Sequence, residues 1–281
     1  MVLRQCFLTE NNCYMAGKLF KPKGIMVHST GANNPYLKRY VGPDDGFLGV
    51  NKNGNHWNRP MPDGRSVCVH AFIGKLEDGS IATYQTLPFD MRGWHAGGLA
   101  NDTHIGFEIC EDNLTDGEYF NAVYKEAVEL CVMLCKKFSL SSDDIICHSE
   151  GHKKGIASNH SDVMHWFPKH GKTMDDFRAE VKKALESEKE DKEMEELKKE
   201  LETVKSELET VKSELRLIEL ERENITTIYN TVFELPEWAK PTIKKLIGKG
   251  YIKGDEDGNL GLNMNMVRLL VINDRAGLYK E

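Results

Sequence analysis

No run of about 18 consecutive apolar residues occurs in this 281-residue chain, so a transmembrane helix is not expected. The opening Met1-Val2-Leu3-Arg4-Gln5-Cys6 lacks the basic region and apolar core of a signal peptide, so none is expected. No basic stripe stands out, which argues against a nucleic-acid partner. The chain's net charge of −7 belongs to one stretch: residues 185–225 hold 15 acidic and 8 basic side chains. The seven cysteines are odd in number and show no framework spacing. Most lie inside apolar runs (Cys68, Cys110, Cys131, Cys135, Cys147), which predicts buried free thiols in a reducing compartment.

What the chain does have is polar residues at the ends of apolar runs. His28 closes Gly24-Ile25-Met26-Val27-His28, and His148 closes Ile145-Ile146-Cys147-His148. Asp162 follows in Ser158-Asn159-His160-Ser161-Asp162. Two imidazoles and a carboxylate suit a zinc ion that keeps a fourth position open for water. Such an ion lowers the pKa of its water towards neutrality, which is a hydrolytic function. Any one of these histidines could instead be a satisfied core residue; their combination at strand ends and turns, where site residues gather, favours chemistry.

Three zones follow. Residues 1–184 read as globular α/β: short apolar runs at 25–28, 67–73, 105–109 and 145–148 alternate with glycine-bearing turns. Residues 119–138 carry a helical apolar pattern. A second helix is predicted to begin near Thr173, an N-cap with Asp176 three residues on, close to a capping box.

Residues 185–228 read as a coiled coil. Met194, Leu197, Leu201, Val204, Leu208, Val211, Leu215 and Ile218 alternate at spacings of three and four, and Glu-Leu-Glu-Thr-Val-Lys-Ser occurs twice in tandem, at 200–206 and 207–213. With Leu201 at a, glutamates fill g (193, 200, 207, 214) and lysines fill most of e (198, 205, 212), with Glu219 the exception. A parallel pair sets g against e of opposite charge; an antiparallel pair sets like against like. A parallel homo-oligomer through residues 194–225 is expected, the alternative being a lone solvated spacer. Residues 229–281 read as a small helical domain, with one helix carrying Ile243, Leu246 and Ile247 and another from Met264 to Ala276. The acidic loop Asp255–Asn259 lacks the ligand spacing of an EF-hand and reads as a solvated turn.

Six ordered segments carry a resemblance. They are Met26-Val27-His28-Ser29-Thr30; Val69-His70-Ala71-Phe72-Ile73 with Asp78-Gly79; Tyr84-Gln85-Thr86-Leu87-Pro88; Arg92-Gly93-Trp94-His95-Ala96-Gly97; Ile105-Gly106-Phe107-Glu108-Ile109; and Cys147-His148-Ser149-Glu150 through His160-Ser161-Asp162. Together they resemble the zinc-dependent N-acetylmuramoyl-L-alanine amidases of type 2, relatives of the peptidoglycan recognition proteins, over nearly all of residues 18–180. The resemblance implies a mixed central sheet flanked by helices, with zinc (Zn2+) held in a groove by His28, His148 and Asp162. It implies hydrolysis of the amide between N-acetylmuramic acid and L-alanine of bacterial peptidoglycan. Glu108 would be the general base, or else would orient a ligand histidine. His160 stands where many relatives carry an oxyanion-steadying lysine; it could do that work or bind the metal itself. His70, Trp94 and His95 are expected to contact substrate, His165 and Trp166 to line or support the site, and His152 is the alternative to His148. The tail resembles one S-layer-homology repeat through Trp238-Ala239, Gly250–Gly254 and Asp257-Gly258, a possible wall-binding element. The expected role is that of a phage endolysin of Gram-positive hosts, made in the cytoplasm and acting on the wall after release. A cytoplasmic muropeptide-recycling amidase, a non-catalytic peptidoglycan-binding protein and an oligomeric scaffold with a vestigial head remain as alternatives.

Overall fold

The computed structural model describes residues 1 and 3–279, with the side chains of residues 191 and 192 left aside; the last two residues of the tail zone, 280 and 281, lie outside the described residues. These residues divide into two compact units, 1–192 and 193–281.

The first unit is built on a six-stranded sheet. Its strands are β1 (Leu3–Gln5), β2 (Gly24–Ser29), β3 (Ala71–Lys75), β4 (Ile81–Gln85), β5 (His104–Ile109) and β6 (Ile145–Cys147), in the spatial order β1-β4-β3-β5-β2-β6. All pairings are parallel except the β3–β4 hairpin, so the sheet is mixed, as expected. Every residue of β2 is buried, the pattern of a parallel strand covered on both faces.

Parity decides which face each side chain meets. Ile25, Val27, Ile105, Phe107, Ile109, Ile145 and Cys147 join one core with the helix α2 (Gly117–Phe138) and with Trp166, Phe167 and Phe177. The alternate residues Met26 and Ile146 join a separate cluster with Ala96 and Ala100. By the same alternation His28 and Glu108 share that second face, and they are direct register partners across β2 and β5. The helices α1 (Asn12–Ala16) and α3 (His148–Lys153) are short. The predicted helix start at Thr173 is a reciprocal cap: the Thr173 N–H and hydroxyl donate to Asp176, and the Asp176 N–H donates back to Thr173 Oγ1. The helix it opens, α4, runs Met174–Thr226.

The cysteines depart from expectation. Cys13 on α1 is disulfide-bonded to Cys68 across 55 residues of sequence, while Cys6, Cys110, Cys131, Cys135 and Cys147 are free. Cys68 is therefore not a free thiol. It lies in an isolated antiparallel bridge with Trp94, each backbone N–H donating to the other's carbonyl at 3.1 Å, so the bond ties α1 to the segment that carries Trp94. Closing a loop of this length restricts the unfolded chain by about 4 kcal/mol. Cys68→Ser is expected to lose stability of that order in urea unfolding without reductant; a change below about 1 kcal/mol would show that the bond is not what holds these segments.

In the second unit, β7 (Ile228–Tyr229) pairs antiparallel with β8 (Leu262–Asn263). The helices α5 (Lys240–Gly248) and α6 (Met264–Arg275) enclose a core of Leu235, Ala239, Ile243, Leu262, Val267 and Val271. The acidic loop closes on itself, with Asp255 accepting from the N–H groups of Asp257 and Asn259. Among the described residues, no helix is long and apolar enough to cross a membrane.

Candidate active site

His28 sits at the carboxyl end of β2, and His148 opens α3 directly after β6. The latter is not on the strand itself. It is aimed by a helix cap: the Cys147 N–H donates to Glu150 Oε2 at 3.0 Å, and Arg178 holds both Glu150 oxygens at 3.0 Å. Asp162 is delivered by the following loop, which Val163, Trp166 and Phe167 anchor in the main core. Among the described residues, His28, His148 and Asp162 form a group whose ligand atoms all lie within 4.8 Å of one another. His152 is exposed, turns its Nδ1 to the Ala157 carbonyl, and is no part of this group.

The protons can be followed through this cluster. His95 Nε2 lies 3.1 Å from the His104 carbonyl. A carbonyl only accepts, so Nε2 carries the proton and His95 Nδ1 presents a lone pair. His28 Nε2, 2.9 Å from that lone pair, must then donate to it, which leaves His28 Nδ1 without a proton. The same argument runs for His148. Ser158 Oγ donates to the Ala96 carbonyl at 3.1 Å and accepts from His148 Nε2 at 3.2 Å, leaving His148 Nδ1 as a lone pair. Burial lowers the pKa of His28 and, well below the usual value, that of His95, so these rings are neutral. Two imidazole lone pairs and a carboxylate oxygen thus converge at separations of 3.0, 3.1 and 3.5 Å. Lone pairs facing one another repel unless a cation lies among them. A tetrahedral zinc with bonds of about 2.0–2.1 Å needs donors about 3.3 Å apart. The residues present fit such an ion.

His95 packs behind His28 at the cleft wall, with both ring nitrogens taken by His28 and the His104 carbonyl. Gly106 makes room for it: a Cβ there would fall 2.4–2.6 Å from the His95 ring, which gives the glycine of Ile105-Gly106-Phe107-Glu108 a physical reason. His70 is further from its expected role. It is fully buried, accepts from the Gly106 N–H at Nδ1 (3.0 Å) and donates from Nε2 to the Met91 carbonyl (2.8 Å). Burial takes its pKa to about 4. Both nitrogens are used, so His70 has nothing left to offer a substrate. Trp94, 46% exposed, lines the cleft, whereas Trp166 is a core residue packed on Phe120.

The cleft over the cluster has a volume of about 640 Å³. His160 lines it with its ring 4.7 Å from that of His148. Glu108 lines it too, with Oε2 buried and without a hydrogen-bond partner. Burial, reinforced by the charges of Asp162 and Glu111, raises its pKa well above 4.5. Sequence reasoning missed Glu111, which takes the Gly31 N–H (3.1 Å) and His165 Nε2 (2.9 Å). It also missed Ser158 and the two guanidinium side chains in the cleft, Arg39 and Arg65.

A family model described as N-acetylmuramoyl-L-alanine amidase matches residues 18–166, more than half of the chain. The chain belongs to this amidase family. Among solved structures, the Staphylococcus aureus hydrolase AmiA, in complex with its ligand, is similar in fold: 17% identity, 66% of this chain and 83% of that chain covered, TM-score 0.50. A mutant endolysin from Bacillus subtilis is 27% identical over 64% of this chain and 99% of its own, TM-score 0.43. Comparison with curated proteins finds no match. The amidase hydrolyses the bond between N-acetylmuramic acid and L-alanine of peptidoglycan, and its His–His–Asp cluster is a group that could hold a metal ion. Removing the ring behind His28 is expected to weaken that place. His95→Phe keeps the bulk against Gly106 but frees the His28 tautomer, so metal affinity should fall about 10–100-fold. Titration against a competing chelator measures this; unchanged affinity would mean that His95 only packs.

Proposed function

We propose that this amidase is a zinc enzyme that cuts bacterial wall peptidoglycan, with His28 Nδ1, His148 Nδ1 and an Asp162 oxygen as ligands. The convergence of two imidazole nitrogens and the Asp162 carboxylate within 3.0–3.5 Å carries this reading. When bound, zinc supplies a Lewis acid that polarises the scissile carbonyl and makes water acidic. The chain's own residues do the rest. Glu108 takes a proton from the attacking water and passes it to the leaving amine of L-alanine. Burial raises its pKa above that of an ordinary carboxylate, which makes it a better proton acceptor. Its alternative role, orienting a ligand histidine, loses support because the outer nitrogens of both ligand rings are already taken by His95 and Ser158. His160 faces the cleft where a cation or N–H donor can steady the developing oxyanion. Trp94 offers a flat apolar wall to the sugar, and Arg39 and Arg65 offer positive charge to the carboxylates of a stem peptide.

Action at the wall, after release from the cell, is supported by the Cys13–Cys68 bond, which persists in oxidising surroundings. The second unit is the part suited to hold wall polymer, with Phe233, Trp238 and Tyr251 exposed. The deciding experiment digests purified peptidoglycan with and without a chelator and counts freed L-alanine amino groups. Release that the chelator stops and zinc restores is expected. Release that ignores the chelator would remove the metal from the mechanism, and no release from zinc-loaded protein would favour a binding role.

A further inference from the structure

Eight apolar side chains of α4 form one stripe: Met194, Leu197, Leu201, Val204, Leu208, Val211, Leu215 and Ile218. Each is 51–60% exposed, so this apolar face has no cover among the described residues. Beside the stripe, Lys205 pairs with Glu202 and Lys212 with Glu209, each at 2.8 Å. The stripe alternates by three and four, the 3.5-residue period that two helices share only by winding around each other.

The charges flanking the stripe say what covers it. Glutamates at 200 and 207 precede each core turn, and lysines at 205 and 212 follow it. In a parallel, in-register pair each glutamate lies beside the lysine five residues further along the second copy: Glu193 by Lys198, Glu200 by Lys205, Glu207 by Lys212. In an antiparallel pair glutamates face glutamates and lysines face lysines. A foreign helix would need a complementary pattern of its own, whereas a second copy of this chain already has it. We propose that the amidase self-associates through residues 194–225 as a parallel, in-register coiled coil, so that its N-terminal catalytic units gather at one end of the bundle. One flanking pair opposes this, Glu214 beside Glu219, and it supplies a test.

The test uses the full chain in analytical ultracentrifugation. A mass of two or more chains at low micromolar concentration is expected. Leu201→Glu with Leu208→Glu should return it to one chain, while turnover of a soluble muropeptide stays within about 2-fold, since neither residue is part of the catalytic unit. Glu219→Lys should move dissociation to lower concentration, and salt should weaken that gain. Leu197→Cys reports orientation: under mild oxidation a parallel pair cross-links at this position, whereas an antiparallel one sets it near the far end of its partner. A single-chain mass for the wild type up to about 100 µM would overturn the proposal. So would association that survives the double glutamate variant, or the absence of a cross-link in an associated Leu197→Cys chain. None of these readings depends on the amidase reaction, so failure here and failure of the zinc mechanism are separable.

Discussion

His28→Ala is expected to abolish amide hydrolysis, by at least about 1,000-fold, the loss that corresponds to about 4 kcal/mol of transition-state stabilisation. The size follows from what else the imidazole does. His28 is 1% exposed at the end of a strand buried on both faces, with Nε2 held by His95 and Nδ1 turned to Asp162 and His148. Without it, the cluster keeps one imidazole and a carboxylate, too few donors to hold zinc tightly. Folding should survive, because the strand keeps Ile25, Met26 and Val27 in their cores. The measurement is a set of three: zinc per chain, turnover on purified peptidoglycan, and thermal unfolding. Expected are loss of the first two with a melting temperature near that of the wild type under chelation. Wild-type turnover in this variant would remove the metal-site reading altogether.

Parts of this site were plain in the sequence because their signals are local. A histidine that ends an apolar strand is visible as His28, and the 3.6-residue period of α2 and the Thr173–Asp176 cap need only a few neighbours. Other parts were hidden because their partners are distant. His95 lines the cleft, but nothing near it in sequence announces its bonds to His28 and the His104 carbonyl or the space left by Gly106. His70 shared the motif look of a substrate-contacting residue, yet a residue one step from a buried strand has backbone groups on every side. Cys13 and Cys68 lie 55 residues apart without the spacing of a disulfide framework. β1 is three residues long, and its partner β4 lies some 80 residues away, too short and too remote for an alternation pattern to reveal it. Glu111 went unread for the same reason: its meaning lies in His165, 54 residues on.

Glu108→Gln separates the catalytic role from the structural one. The amide keeps the shape of the side chain but cannot take a proton from water, so turnover should fall about 100- to 10,000-fold. Zinc content and substrate KM should change little, because Glu108 touches no ligand nitrogen and Oε2 has no hydrogen-bond partner to lose. Stability gives an independent readout. Burial raises the folded-state pKa of Glu108 well above 4.5. The carboxyl therefore favours the fold fully below pH 4.5, and this contribution is lost as pH rises through the raised value. Once ionised, the group is buried at a cost, which glutamine avoids. Melted in chelator at neutral pH, the variant should unfold at the wild-type temperature or above it. A zinc-loaded, stable and nearly inactive chain identifies Glu108 as the base. Loss of zinc along with activity would return it to orienting a ligand histidine, and turnover within about 3-fold of wild type would leave the proton to another group, of which His160 at the cleft wall is the next to test.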